Sequence, residues 1–322
     1  MAILPANTGS RAGFDTGFQR LGGLVKARMG ADATDEQVTA SDLFMDAAEK
    51  AIRGLEPLKK KYPEFELVVT HMDEVLGRGR LPTYIALTRP IRRVPEQRVY
   101  ITLHTLPREG VPEMTAELDP WVDIRGYHGY SQALWLQSGH TWDEEAKALA
   151  ASGDEAWMYY NPHRPFYVAE WSRVINGLYL WWSPIHVHCP YRYRTMTTWP
   201  LSFSHNMAYT VRSIEDNKTP IALRNWEGFR LGMQDCRSLC MLQDLLAQAE
   251  QRNVDCADAK AWLEQVRAMM PDPRDIGPIE GPENNYPLVY TVAKTLSGDD
   301  YDQIRRTTAQ HIVALREKMG IN

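Results

Sequence analysis

From Phe65 to Trp182, short β-branched and aromatic runs alternate with helix-forming segments, and short connections join them. The runs are Phe65-Glu66-Leu67-Val68-Val69-Thr70, Val99-Tyr100-Ile101-Thr102-Leu103, Trp121-Val122-Asp123-Ile124, Ala156-Trp157-Met158-Tyr159-Tyr160 and Gly177-Leu178-Tyr179-Leu180-Trp181-Trp182. Each is nearly continuous in apolar residues, which suits a strand buried on both faces. Between them the pattern predicts helices near Pro82 to Arg93, Val111 to Leu118, Gly129 to Leu136, Trp142 to Ser152 and Pro165 to Ile175. Repetition of strand and helix predicts parallel βα units, about five of them, and an α/β fold.

The flanks differ. Residues 1–40 are rich in Gly, Ala and Asp and read as an irregular N-terminal segment, with a short helix around Phe18 to Met29. A helix follows from Ser41 to Lys60. Ser41 suits its N-cap, and Leu43, Phe44, Ala47, Ala48, Ile52 and Leu55 repeat at three and four. Residues 183–218 hold Pro, Tyr and Trp without periodicity and read as a long irregular stretch, a kind of loop that often carries function. Helices are predicted over 224–250, 256–269, 284–296 and 298–318, with a Pro/Gly-rich linker from Pro271 to Asn285. The expected organisation is therefore residues 1–40, a βα domain over 41–218 and a helical region over 219–322.

Composition narrows the partners. The 322 residues carry a net charge of −5 without a basic block, so nucleic acid is not an expected partner. No run approaches the roughly 18 apolar residues of a membrane helix, so no membrane partner is expected. The first residues lack the charged start and apolar stretch of a secretory signal, which reads as cytoplasmic if Met1 is the true start. The 4 cysteines make no disulfide framework, and Cys236 and Cys240, one helical turn apart, read as helix positions rather than a metal pair. With 10 Trp and 15 Tyr against 7 Phe, the aromatics favour rings with a flat apolar face and a polar edge. Such rings suit a pyranose as well as a large core.

Parallel βα sheets collect active residues at the C-terminal ends of their strands. Here the ends offer His71, Asp73 and Glu74, then His104, then Arg125, Tyr127 and His128, then Tyr159, Tyr160 and Asn161, then Trp181 and Trp182. Acids, tyrosines, an amide and tryptophans make a poor phosphate site and a good sugar site. Two adjacent carboxylates raise the pKa of one of them, and burial raises it further, so one can stay protonated and donate to a departing glycosidic oxygen. Read from the residues alone, Asp73 equally suits a turn cap and Glu74 a solvated side chain. His186 and His188 lack a third ligand at metal-site spacing, and Gly77-Arg78-Gly79 lacks the rest of a dinucleotide fingerprint, so neither metal nor cofactor is expected. Asp143, Glu144 and Glu145 fit the dipole of a helix start.

The order of these motifs resembles glycoside hydrolase family 123 and relatives that share the C-terminal region catalogued as domain of unknown function 4091. Val68-Val69-Thr70-His71-Met72-Asp73-Glu74 resembles their strand ending in an Asp-Glu pair. Trp121-Val122-Asp123-Ile124, Ala156-Trp157-Met158-Tyr159-Tyr160-Asn161 and Asn176-Gly177-Leu178-Tyr179-Leu180-Trp181-Trp182 are similar to three later strand motifs. The segment from Trp226 to Arg237 looks like the helix that reads W-E-x-x-R-x-G-x-x-D in these proteins, although Cys236 and Ser238 depart from its usual aromatic ending. The resemblance covers residues 60–250.

It implies the C-terminal part of a (β/α)8 TIM-type barrel followed by the helical region. It also implies retaining, substrate-assisted cleavage of a terminal β-linked N-acetylhexosamine, with the acetamido group as nucleophile. Glu74 would be the general acid/base, and Asp73 would orient and polarise the acetamido group. His71, Tyr127, Trp157, Tyr159, Tyr160, Asn161, Trp181 and Trp182 are candidates for the sugar pocket. Glu227, Arg230, Asp235 and Arg237 are expected to form structural ion pairs. Roughly three N-terminal strands of a full barrel are not accounted for. The chain is then a fragment, a half completed by a homo-oligomer or partner chain, or a reduced architecture. The competing readings are a non-catalytic carbohydrate-binding or assembly protein and a metal-dependent hydrolase using His71, Asp73, His104 and His128.

Overall fold

The computed structural model describes residues 16–64, 66–71, 81–103, 117–128, 141–160, 169–185, 187–190, 194–198, 210–212, 220–222, 224–272 and 287–321. The chain divides into two compact units: Met1–Ser138 with Ala146–Trp157, and Gly139–Glu145 with Met158–Asn322.

The first unit begins with helices α1 (Thr16–Met29), α2 (Asp35–Ala40), α3 (Asp42–Arg53) and α4 (Glu56–Lys61). Two of these lie in the stretch expected to be mostly loop. Thr34 and Gln37 close a capping box at the start of α2, and Ser41 caps α3 by accepting from the Phe44 N–H at 3.2 Å. Along α3, Phe44, Ala48 and Ile52 recur every four residues and are the buried ones, as the sequence pattern required.

Strands β1 (Val68–Val69), β2 (Arg98–Leu103), β3 (Ile124–His128), β4 (Glu155–Tyr160) and β5 (Val187–Pro190) form one curled parallel sheet in that order. Val68 pairs with Arg98, Tyr100 with Ile124 and Leu103 with Tyr127. Helix α5 (Leu81–Thr88) connects β1 to β2, and α6 (Trp142–Ser152) precedes β4. A βα succession with strand neighbours in chain order is what the alternation predicted. A closed barrel of this type has eight strands, and this sheet has five among the described residues.

Three expected elements fall elsewhere. Trp121 lies in a 3-10 turn, Asp119–Trp121, and β3 starts only at Ile124. Pro120 favours the turn, and Asp123 then faces β2, where its carboxylate accepts the Val99 N–H at 2.6 Å and the Arg92 guanidinium at 2.8 Å. Gly177 to Trp182 is not a strand: α8 (Leu178–Trp182) forms there, after α7 (Ala169–Asn176). Six apolar residues suit a buried helix as well as a strand, so the local pattern did not discriminate. The expected irregular stretch instead supplies β5 and two strands, β6 (Arg194–Thr198) and β7 (Thr210–Arg212), of a second sheet to which β8 (Pro220–Ala222) also belongs.

The second unit is organised by α9 (Arg224–Gln251), 28 residues long, with α10 (Ala257–Ala268), α11 (Pro287–Thr295) and α12 (Gly298–Met319). The segments 129–136 and 273–285 lie outside the described residues, with the helix and most of the linker expected there. Helices α7 and α9 cross at backbone contact. A Cβ on Gly232 would stand 2.5 Å from the Arg173 carbonyl, and one on Gly228 would overlap the Ala169 carbonyl. The glycines of the Trp226 to Arg237 motif therefore serve helix packing. Asp235, on the same helix, is buried and pairs with Arg173 and Arg305, as expected of a structural ion pair. Glu227 and Arg230 pair with each other at the surface.

Candidate functional site

The two faces of the sheet are distinguished by one contact across a strand. Tyr100 on β2 lies 5.5 Å from Trp157 on β4, ring to ring, and its hydroxyl end occupies the space where a Cβ of Gly126 on β3 would stand. Side chains two strands apart meet only on the concave side of a curled sheet. Arg98 and Glu155, also two strands apart, meet on this side at 2.8 Å. By the two-residue period of strands, this face carries Arg98, Tyr100 and Thr102 of β2, Gly126 of β3, and Glu155, Trp157 and Tyr159 of β4.

The concave face is closed at its N-terminal end. Arg98 bridges Glu66 and Glu155, each at 2.8 Å, and the Trp157 indole N–H donates to Glu155 at 2.9 Å. Trp157 is fully buried beneath Tyr100. Tyr159, one strand period on toward the C-terminal end, is half-buried. Tyr160 ends β4 with its side chain outside the described residues, as is Asn161. Tyr127 stands on the opposite face and is 1% exposed. Arg125 sits near the beginning of β3, not at its C-terminal end. It binds Asp119 at 2.6 Å and Asp154 at 3.0 Å and is a structural cation.

His71 follows β1 and is 2% exposed. Its ring stacks on Tyr84 of α5 at 4.6 Å, and its Nε2 lies 3.0 Å from the Thr88 hydroxyl and 3.3 Å from the Tyr84 carbonyl. The Thr88 hydroxyl donates its one proton to the Tyr84 carbonyl at 2.8 Å. Nε2 is thus held between a hydroxyl and a carbonyl oxygen of α5. Burial lowers the imidazole pKa to about 4, against a smaller opposing contribution from the Tyr84 carbonyl, so His71 is neutral at pH 7. Asp73, Glu74 and His104 lie outside the described residues, as does the side chain of His128. Thr88, Tyr84 and Tyr100 were not anticipated. The helical spacing of Tyr84 and Thr88 was the available signal, but nothing local linked it to His71.

In the second unit, Trp181 and Trp182 leave α8 toward different neighbours. Trp181 is 6% exposed, donates to Gln243 of α9 at 3.1 Å and lies under the Arg267 guanidinium of α10 at 4.9 Å. Trp182 is half-buried and forms an aromatic group with Trp142 at 6.2 Å and Tyr179 at 5.9 Å. His188 lies 5.8 Å from Phe229, and His186 is outside the described residues. Among the described residues, no three His, Cys, Asp or Glu gather in a metal-holding group, and no helix is long and apolar enough to cross a membrane.

A curled parallel sheet with a buried aromatic floor and polar groups toward its strand ends defines an α/β protein of partial-barrel type. Among solved structures, a family 123 glycoside hydrolase from Clostridium perfringens, described for glycolipid glycan hydrolysis, has a similar fold. The match covers 85% of this chain and 46% of that one, at 12% identity and a TM-score of 0.50. The chain thus spans about half the length of that enzyme, and at this identity the likeness is one of fold. It agrees with the family resemblance in the order of the sequence motifs. No family model and no curated protein matches the chain.

Proposed function

We propose that this chain is a glycoside hydrolase-like protein in which Glu74 and Asp73 carry the chemistry on an N-acetylhexosamine-type glycoside. In this reading the βα region over 41–218 is the C-terminal part of a (β/α)8 barrel, and 219–322 is a helical C-terminal region. Glu74 donates a proton to the glycosidic oxygen as the acetamido oxygen of the sugar attacks the anomeric carbon. Asp73 holds the acetamido N–H and balances the positive charge of the oxazoline-type intermediate. Water, deprotonated by Glu74, then opens that ring with net retention. Tyr159, Tyr160 and Asn161, at the end of β4, are the favoured sugar contacts. His71, Tyr127 and Trp157, each buried, are read as support rather than as sugar contacts.

The observation that carries this reading is the place of the acid pair in the chain. It stands a few residues along the sequence after the first strand of a parallel sheet, in a chain whose fold resembles a glycoside hydrolase over 85% of its length. The test is release of the aryl alcohol from an aryl N-acetyl-β-hexosaminide. Glu74→Gln is expected to abolish it while circular dichroism stays unchanged, and full activity in that variant overturns the reading. A second reading is a carbohydrate-binding or assembly protein with an incomplete barrel, and the five parallel strands among the described residues support it. Glycan binding without turnover, unaffected by Asp73→Asn, decides for it.

A further inference from the structure

We propose that Cys236 and Cys240 of α9 form a dithiol site for a trivalent arsenical, a ligand whose single thiophilic atom bonds two sulfurs at once. The site is independent of the acid pair and of the hydrolase reading. The two residues stand one turn apart on a continuous helix, in which a step of four residues adds a rotation of about 40°. Cys236 falls on the buried side of α9, beside Asp235 and Leu239, and is 8% exposed. The added rotation brings Cys240 out to the surface, and neither cysteine is in a disulfide.

The two thiols interact side chain to side chain. Hydrogen bonding with Cys240 raises the Cys236 pKa, and burial raises it further. The same interaction lowers Cys240 to about 7, against burial and the Asp244 carboxylate. Cys240 is the accessible and more acidic thiol, so it bonds first and Cys236 closes the ring. The helix decides what bridges them. Side chains one turn apart have Cβ atoms about 5–6 Å apart, whereas a disulfide holds them at about 3.5–4.5 Å. A direct S–S bond therefore requires α9 to distort next to Asp235, which is pinned by Arg173 and Arg305. One atom inserted between the sulfurs spans the gap without that distortion. With an arsenoso compound the As=O bond breaks, two As–S bonds form, and the oxygen leaves as water with both thiol protons. Arsenic stays trivalent, so no oxidant or reductant takes part.

Phenylarsine oxide, added at one equivalent to the intact chain, is expected to give a single adduct that has gained one phenylarsenic group and lost two hydrogens. Trypsin cuts after Arg230, Arg237 and Arg252, so in the digest the adduct joins peptides 231–237 and 238–252. Cys236→Ser and Cys240→Ser are each expected to weaken binding about a hundredfold, because the second sulfur attaches intramolecularly. Cys240 is exposed, so its serine variant keeps the test open if Cys236→Ser fails to fold. The folded protein is expected to bind about tenfold more tightly than the protein in urea, because α9 presets the sulfur spacing. An adduct on Cys189 or Cys256, unchanged affinity in Cys240→Ser, or equal affinity with and without urea overturns the site. A direct disulfide joining the same two peptides, formed when the folded protein is treated with diamide, overturns it as well, since the helix then does not hold the sulfurs apart.

Discussion

Arg173 on α7 meets Asp235 on α9 through two nitrogens, Nε at 2.6 Å and Nη2 at 3.3 Å, with both side chains almost wholly buried. The same guanidinium lies 4.1 Å above the Tyr301 ring of α12, and Arg305 of α12 adds a second cation to Asp235 at 2.8 Å. One carboxylate thus joins three helices of the second unit. A buried pair of this kind reveals its importance when it is broken, because the surviving charge stays in a low dielectric without a partner.

Asp235→Ala is therefore expected to cost about 3–5 kcal/mol, because it leaves Arg173 buried and unpaired. Arg305→Ala should cost much less, since that side chain is 37% exposed and water replaces its partner. Urea denaturation of the three proteins measures the order, and equal losses in the two variants would contradict it.

Glycine substitutions should change sign with location. Gly232→Ala puts a Cβ 2.5 Å from the Arg173 carbonyl, so overpacking of about 1–3 kcal/mol outweighs the helix propensity gained. On α1, a Cβ at Gly22 or Gly23 meets nothing within 4 Å, so alanine there should stabilise by about 0.4–1 kcal/mol. Thermal melts of the single variants test this contrast, and a stabilising Gly232→Ala would refute the close crossing of α7 and α9.

Gly126 and Tyr100 should be energetically coupled. Alanine at position 126 collides with the Tyr100 ring and displaces it from Trp157. Gly126→Ala is expected to destabilise the wild type and to be far milder in a Tyr100→Val background. The double-mutant cycle should return an interaction of about 0.5–3 kcal/mol. Additive effects would show that the ring does not span β3.

His71 makes stability depend on acidity. Its imidazole titrates near 4 when folded and near 6.5 when unfolded, so between these values the unfolded chain binds more protons. Stability contributed through this residue therefore rises with pH across that window and is level above it. A difference of this size corresponds to about 3 kcal/mol. Denaturation midpoints measured at several pH values should fall less steeply on acidification in His71→Gln than in the wild type. Parallel curves would mean that the ring is solvated.

Much of the first unit was legible in the residues. Ser41 announced the cap of α3, and the four-residue recurrence of Phe44, Ala48 and Ile52 announced its buried stripe. Val99 to Leu103 and Ala156 to Tyr160 announced their strands, because such signals act within a few residues of each other. Gly177 to Trp182 failed for the same reason. Its apolar run suits strand or helix alike, and the choice falls to Gly232 and Gln243, more than fifty residues away along the chain.

For the candidate site, the residues disclosed which chemistry-bearing groups follow which strand, and the acid pair after β1 was visible without a structure. Which face each group occupies was not visible. Tyr127 and Trp157 look alike as strand aromatics, yet pairing across Gly126 sends one to the outer face and the other to the concave floor. His71 looked like a pocket residue, and its tie to Thr88 emerged only once α5 was folded back against β1. Local order along a strand is written in neighbouring residues, whereas facing, burial and hydrogen-bond partners depend on groups brought together by long-range packing.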